Sequence, residues 1–175
     1  MPSLRYGEEF TNPPVPHLPA NTLLFPAGPL SIGVEYRTLS QEILAAVYGA
    51  ERAATIMAER FDAAPASASE PIAGGISIHV FDAATGVEHL RFDDLAGKQH
   101  YHYLRADGSH TLVWFDPVAN GDLVPWALAS LAERAADMLA VAGAGELADR
   151  VDRAALEAAL VEAGAAAQTG LVATG

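Results

Sequence analysis

The sequence predicts an α+β fold: an N-terminal amphipathic helix, a four-stranded antiparallel meander over about 76–116, and two C-terminal helices, preceded by a proline-rich arm. Three observations carry this expectation. Apolar residues recur at spacings of four and three between Leu39 and Phe61, the pattern switches to alternation from Ile76 to Phe115, and a helical period returns after Asp122. A chain of 175 residues is expected to hold one domain with a single core. The reading divides it into an extended arm (1–30), an α+β domain (31–163) and a flexible tail (164–175).

The arm holds seven of the eleven prolines, which remove amide donors and fix φ, so it is extended and not helical. Its Tyr6, Phe10, Leu18, Leu23, Leu24 and Phe25 call for burial against this domain or a neighbouring subunit. Residues 30–37 (LSIGVEYR) read as a strand that extends the sheet. In the following helix, Ile43, Val47, Ala50, Ala54, Met57 and Phe61 form one apolar stripe, with Thr38 and Gln41 as a capping box. Asp62 to Gly75 reads as a loop that could serve as a lid. Four strands follow, at roughly 76–82, 87–93, 99–105 and 110–116, joined by turns at Thr85-Gly86, Ala96-Gly97 and Asp107-Gly108. The last helices are placed at about Leu123 to Ala142, capped by Asp122, and Glu146 to Ala163, the latter with a break near Asp152, which could cap its second part.

Composition removes several function classes. The chain carries 22 Asp and Glu against 10 Lys and Arg, a formal charge of −12, which disfavours nucleic acid and anionic lipid as partners. The absence of cysteine excludes disulfides, thiolate catalysis and Cys-ligated zinc. No secretory signal is visible and no apolar run nears the ~18 residues of a membrane span, so a cytoplasmic protein is expected. The alanine-rich helices suggest a homo-oligomer.

Five of the six histidines fall between His79 and His110, and His100-Tyr101-His102-Tyr103 is the densest part. Alternation puts His100 and His102 on one strand face, about 7 Å apart. Closing the hairpin around Ala96-Gly97 sets Arg91 opposite His102 and Asp93 opposite His100. Closing the next on Asp107-Gly108 as a two-residue turn sets Tyr103 opposite Leu112 and Tyr101 opposite Trp114. One face then carries Leu90, Phe92, Tyr101, Tyr103, Leu112 and Trp114. The other gathers His89, Arg91, Asp93, His100, His102, Thr111, Val113 and Phe115. His79 could join either group, and His110 is expected beside the turn on the tyrosine face, in solvent.

Histidines with one carboxylate suit Zn, Fe or Mn, so His89, His100 and His102 are the candidate metal ligands. His100, His102, Asp93 and Arg91 are the candidate catalytic group, with Asp93 ligating or orienting and Arg91 holding an anionic part of a small-molecule substrate. The His-x-His pattern lacks the glycine-rich lead-in and following Glu of a cupin motif, and no nucleotide-binding or zinc-peptidase signature is present. Two other functions fit the same residues: an oligomeric accessory protein acting through its arm, and a metal-free ligand-binding or isomerase cavity.

Overall fold

The computed structural model describes residues 7–60, 67–95 and 97–173. Its centre is one seven-stranded sheet, antiparallel throughout, with strand order β1-β7-β6-β5-β4-β3-β2. The strands are β1 (Glu8–Phe10), β2 (Thr22–Ala27), β3 (Leu30–Ser40), β4 (Pro71–Asp82), β5 (Glu88–Leu95), β6 (His100–Leu104) and β7 (His110–Trp114). Six helices accompany them: α1 (Gln41–Tyr48), α2 (Ala50–Arg60), α3 (Pro117–Asn120), α4 (Leu123–Val141), α5 (Gly145–Ala148) and α6 (Arg153–Ala173).

This corrects the four-stranded meander with a single N-terminal helix. Three strands outside 76–116 join the sheet, two of them from the arm. Proline density hides both: Pro26 is accommodated because β2 is an edge strand, and β1 lies just ahead of Pro13 and Pro14. A two-residue connection, Gly28-Pro29, then turns β2 into β3, with Gly28 at φ 65°.

The expected helix from Leu39 to Phe61 is also corrected. β3 runs on to Ser40, so Ser40 is the N-cap in place of Thr38, its hydroxyl accepting from the Ile43 amide at 3.2 Å. Gly49, at φ 84°, then breaks the helix and resets its phase. The buried set is consequently Leu44, Ala53 and Met57, while Val47 is 40% exposed. Phe61 and residues 62–66 of the expected lid lie outside the described residues, and Pro71 to Gly75 belong to β4.

At the other end Asp116 caps an additional turn, α3, and the expected break near Asp152 separates α5 from α6, with Asp152 accepting from the Ala155 amide at 3.0 Å. α6 continues to Ala173, past the expected end at Ala163. No helix among the described residues is long and apolar enough to cross a membrane.

The sheet has two unlike faces. On one, Ile32, Val34, Ile76, Ile78, Val80, Leu90 and Phe92 meet Leu123, Ala127, Leu131 and Leu139 of α4 and Leu156, Ala163 and Ala167 of α6. Small residues on both helices let them approach closely: α6 lies on β2 and β3, and α4 on β5. This face supplies the hydrophobic stabilisation. The opposite face is covered by the arm around Pro13 to Val15 and by α1 and α2, and it carries charge.

Candidate metal centre

Cross-strand pairing lays two lateral rows of side chains on the charged face. One row reads Glu35, Ser77, Asp93, His100 and Trp114; the other reads Gly33, His79, Arg91, His102 and Leu112. The expected opposition of Arg91 to His102 and of Asp93 to His100 is the pairing observed; of the turn residues that led to it, Ala96 lies outside the described residues.

The next hairpin is shifted by one residue. Leu104 faces His110, so the loop is longer than two residues, and Gly108 at φ 87° donates its amide to the Arg105 carbonyl at 3.0 Å. Asp107 accepts from both the amide and the hydroxyl of Ser109 and so favours this longer loop. The shift moves Leu112, Trp114 and His110 onto the histidine face and sends Thr111 and Val113 to the tyrosine face. His110 is therefore buried, not solvent-exposed, with Nδ1 donating to the Asn12 carbonyl at 2.8 Å and its ring centroid 5.0 Å from that of His102.

Asp93 is the centre of the first cluster and is 3% exposed. Its Oδ1 accepts from the Ser77 hydroxyl at 2.5 Å. Its Oδ2 lies 3.1 Å from His102 Nε2 and 3.3 Å from His100 Nε2. Donor atoms of these three residues all lie within 4.8 Å of one another, so Asp93, His100 and His102 form a group that could hold a metal ion.

Tautomers sharpen the point. A carbonyl only accepts, so the 2.6 Å contact between His100 Nδ1 and the Lys98 oxygen fixes the hydrogen on Nδ1. A neutral His100 then turns its Nε2 lone pair toward Asp93 Oδ2. Only a positive charge between them, a proton or a metal ion, makes that approach favourable. Burial lowers the pKa of His102 to about 3 despite its bond to Asp93, which keeps the imidazole in the neutral form that ligates metals. Its Nδ1 is buried and has no hydrogen-bond partner. Burial would raise the Asp93 carboxyl, but hydrogen bonds with His100 and His102 outweigh it and hold the group well below its ordinary value.

A second, buried network adjoins the first. His79 lies between two carboxylates, with Nε2 3.0 Å from Glu35 Oε2 and Nδ1 2.5 Å from Glu88 Oε1. Both acceptors need a hydrogen, so His79 is an imidazolium; its pKa is raised because these bonds overcome desolvation. Arg91 makes a bidentate pair with Glu88, at 2.8 Å from Nε and 2.6 Å from Nη2. Arg37 donates to Glu35 at 2.7 Å. Both guanidiniums also donate to the Val15 carbonyl at 2.6 Å, which ties the arm across this face of its own domain.

Two expected roles fall differently. His89 sits in a bulge, where Val80 pairs with Leu90 and Phe81 with Glu88, and it is not one of the three grouped residues. The bulge brings Glu88 to Arg91 in its place. Arg91 is committed to Glu88 and Val15. Sequence reasoning missed Glu35, Arg37, Ser77 and Glu88. The signal for the first two was their alternation with Leu30, Ile32, Val34 and Tyr36, which places charge on the face opposite the core.

Asp93, His100, His102, His110, Arg37 and Arg91 line one cavity of about 160 Å³ beneath Pro13 to Val15. The chain belongs to the family described as "Domain of unknown function (DUF7700)", which matches residues 24–167. No curated protein and no solved structure shows significant similarity to it.

Proposed function

We propose that this member of the DUF7700 family is a metal-dependent enzyme acting on a small molecule, with one divalent first-row transition ion held by Asp93, His100 and His102. The spacing of the donor atoms carries the reading. Two ligands about 2.0–2.2 Å from a tetrahedral ion lie about 3.3–3.6 Å apart. Both histidine Nε2 atoms stand close to that distance from one carboxylate oxygen, at 3.1 and 3.3 Å.

At His100 and Asp93 the surrounding bonds match how ligands are usually held, whereas His102 Nδ1 has no partner. Lys98 fixes the His100 tautomer through the ring nitrogen facing away from the centre, and Ser77 orients the Asp93 carboxylate. Three protein ligands leave coordination open toward the cavity. An ion there would supply Lewis acidity and a water acidic enough to act near neutral pH. Zn, Fe and Mn all accept two imidazoles and one carboxylate. A metal-free site with His102 as the base is the weaker reading, because His102 holds a proton too poorly to serve near neutral pH.

Metal analysis of the purified full-length chain is expected to find about one transition ion per molecule. His100→Ala and Asp93→Asn, with folding checked by circular dichroism, are expected to abolish it, and Ser77→Ala to weaken affinity about 10–100-fold. Wild type that takes up none of these ions, or ligand variants that keep a full complement, would refute the proposal.

A further inference from the structure

We infer that the cavity over Asp93, His100 and His102 takes a small organic anion with an apolar body, its charged head held by Arg52 and Lys98. Calling this molecule the substrate rests on the metal-dependent reading above; its binding does not.

The charge lining the cavity is the first observation. Arg37, Arg52, Arg91 and Lys98 line it, against Asp93 alone among the described acidic residues. In a chain of net charge −12 this is a local inversion of sign.

The second observation is which of these charges are already used. Arg37 and Arg91 are balanced by Glu35 and Glu88 and hold the arm. Asp93 is engaged by Ser77, His100 and His102. Arg52, on α2, and Lys98, between β5 and β6, have no side-chain hydrogen bond or ion pair among the described residues. They come from separate elements yet border the same space, so the cavity carries positive charge that the protein does not neutralise.

Third, much of the remaining wall is apolar. Leu39, Leu44, Tyr48, Ile56, Leu95 and Trp114 line it. An inorganic anion would leave that surface unfilled, and a neutral apolar molecule would gain nothing from either cation. An anion with a hydrophobic body uses both; Arg52 is exposed and Lys98 half-buried, so solvent screens part of the attraction.

Isothermal titration calorimetry of the full-length protein tests this with benzoate, hexanoate and phenyl phosphate, set against benzamide, hexanamide and inorganic phosphate. At least one organic anion is expected to bind ten or more times tighter than its neutral amide and than inorganic phosphate. Benzoate against phenyl phosphate reads whether the head is a carboxylate or a phosphate, and preference for either supports the inference. Arg52→Gln with Lys98→Gln is expected to reduce that binding at least tenfold while zinc uptake stays at the wild-type level. Amides that bind as tightly as the acids would overturn the inference, as would full affinity in the double variant. Anion binding in a protein that takes up none of Zn, Fe or Mn would refute the metal reading and leave this one standing.

Discussion

Glu88→Ala is expected to destabilise the protein by about 3–5 kcal/mol, the cost of removing one partner of a buried ion pair. Glu88 accepts both parallel bonds from Arg91 and one from His79, so its loss leaves a guanidinium that is 2% exposed with only the Val15 carbonyl among its named partners. That cost is a large share of a typical total of about 5–15 kcal/mol. For a chain of this size it corresponds to a fall in Tm of about 6–20 °C. Urea denaturation and calorimetry measure it directly. Glu9→Ala is the control, since Glu9 is exposed, pairs with Arg105 at 3.1 Å and accepts from the Thr111 hydroxyl at 2.6 Å, which together contribute about 1–2 kcal/mol. A Glu88→Ala variant no less stable than Glu9→Ala would mean that water, not the ion pair, solvates Arg91. Glu88→Ala is also expected to loosen the arm at Val15, seen as faster proteolysis near residues 13–18.

Stability of the metal-free protein is expected to peak close to neutral pH and to fall on both sides for different reasons. His79 has a raised pKa, so its contribution is complete below the ordinary value of 6.5 and is lost as pH rises through the folded value. Glu35, Glu88 and Asp93 are lowered, and their contributions are lost as pH falls below the ordinary carboxylate range. His102 adds to the acid side. Its pKa is about 3 in the fold and ordinarily 6.5, so the unfolded chain takes up a proton first as pH falls between those values. One such group gives a slope of about 1.4 kcal/mol per pH unit. Urea midpoints across pH 4–9 measure both limbs. His79→Gln is expected to flatten the alkaline limb, and His102→Gln the part between pH 6.5 and 4. A profile unchanged by either variant would contradict these assignments.

The location of the group that could hold a metal was legible because it needs only alternation and one hairpin. Asp93, His100 and His102 come together whenever β5 and β6 pair with Asp93 opposite His100. The neighbouring register was not legible, because Asp-Gly suits a tight turn and also a longer loop with Gly108 at positive φ; Ser109, by bonding Asp107, favours the second. That register decides which face Trp114, Leu112 and His110 occupy. Glu35 and Arg37 were hidden for another reason. Charge alternating with apolar residues on a strand ordinarily marks a solvated face, and here that face is roofed by the arm and α1–α2. Burial of the Glu35–Arg37–His79–Glu88–Arg91 network depends on segments distant in sequence, and periodicity carries no information about such contacts. The bulge that excludes His89 and admits Glu88 is equally invisible to a two-residue period.

The most direct test of the metal centre is diffraction from crystals of the full-length protein soaked in zinc, with data collected on both sides of the zinc absorption edge. An anomalous peak is expected about 2.0–2.2 Å from one donor atom each of Asp93, His100 and His102. Saturating zinc with no peak at these residues, and with the contact between His102 Nε2 and Asp93 Oδ2 still at 3.1 Å, would contradict it.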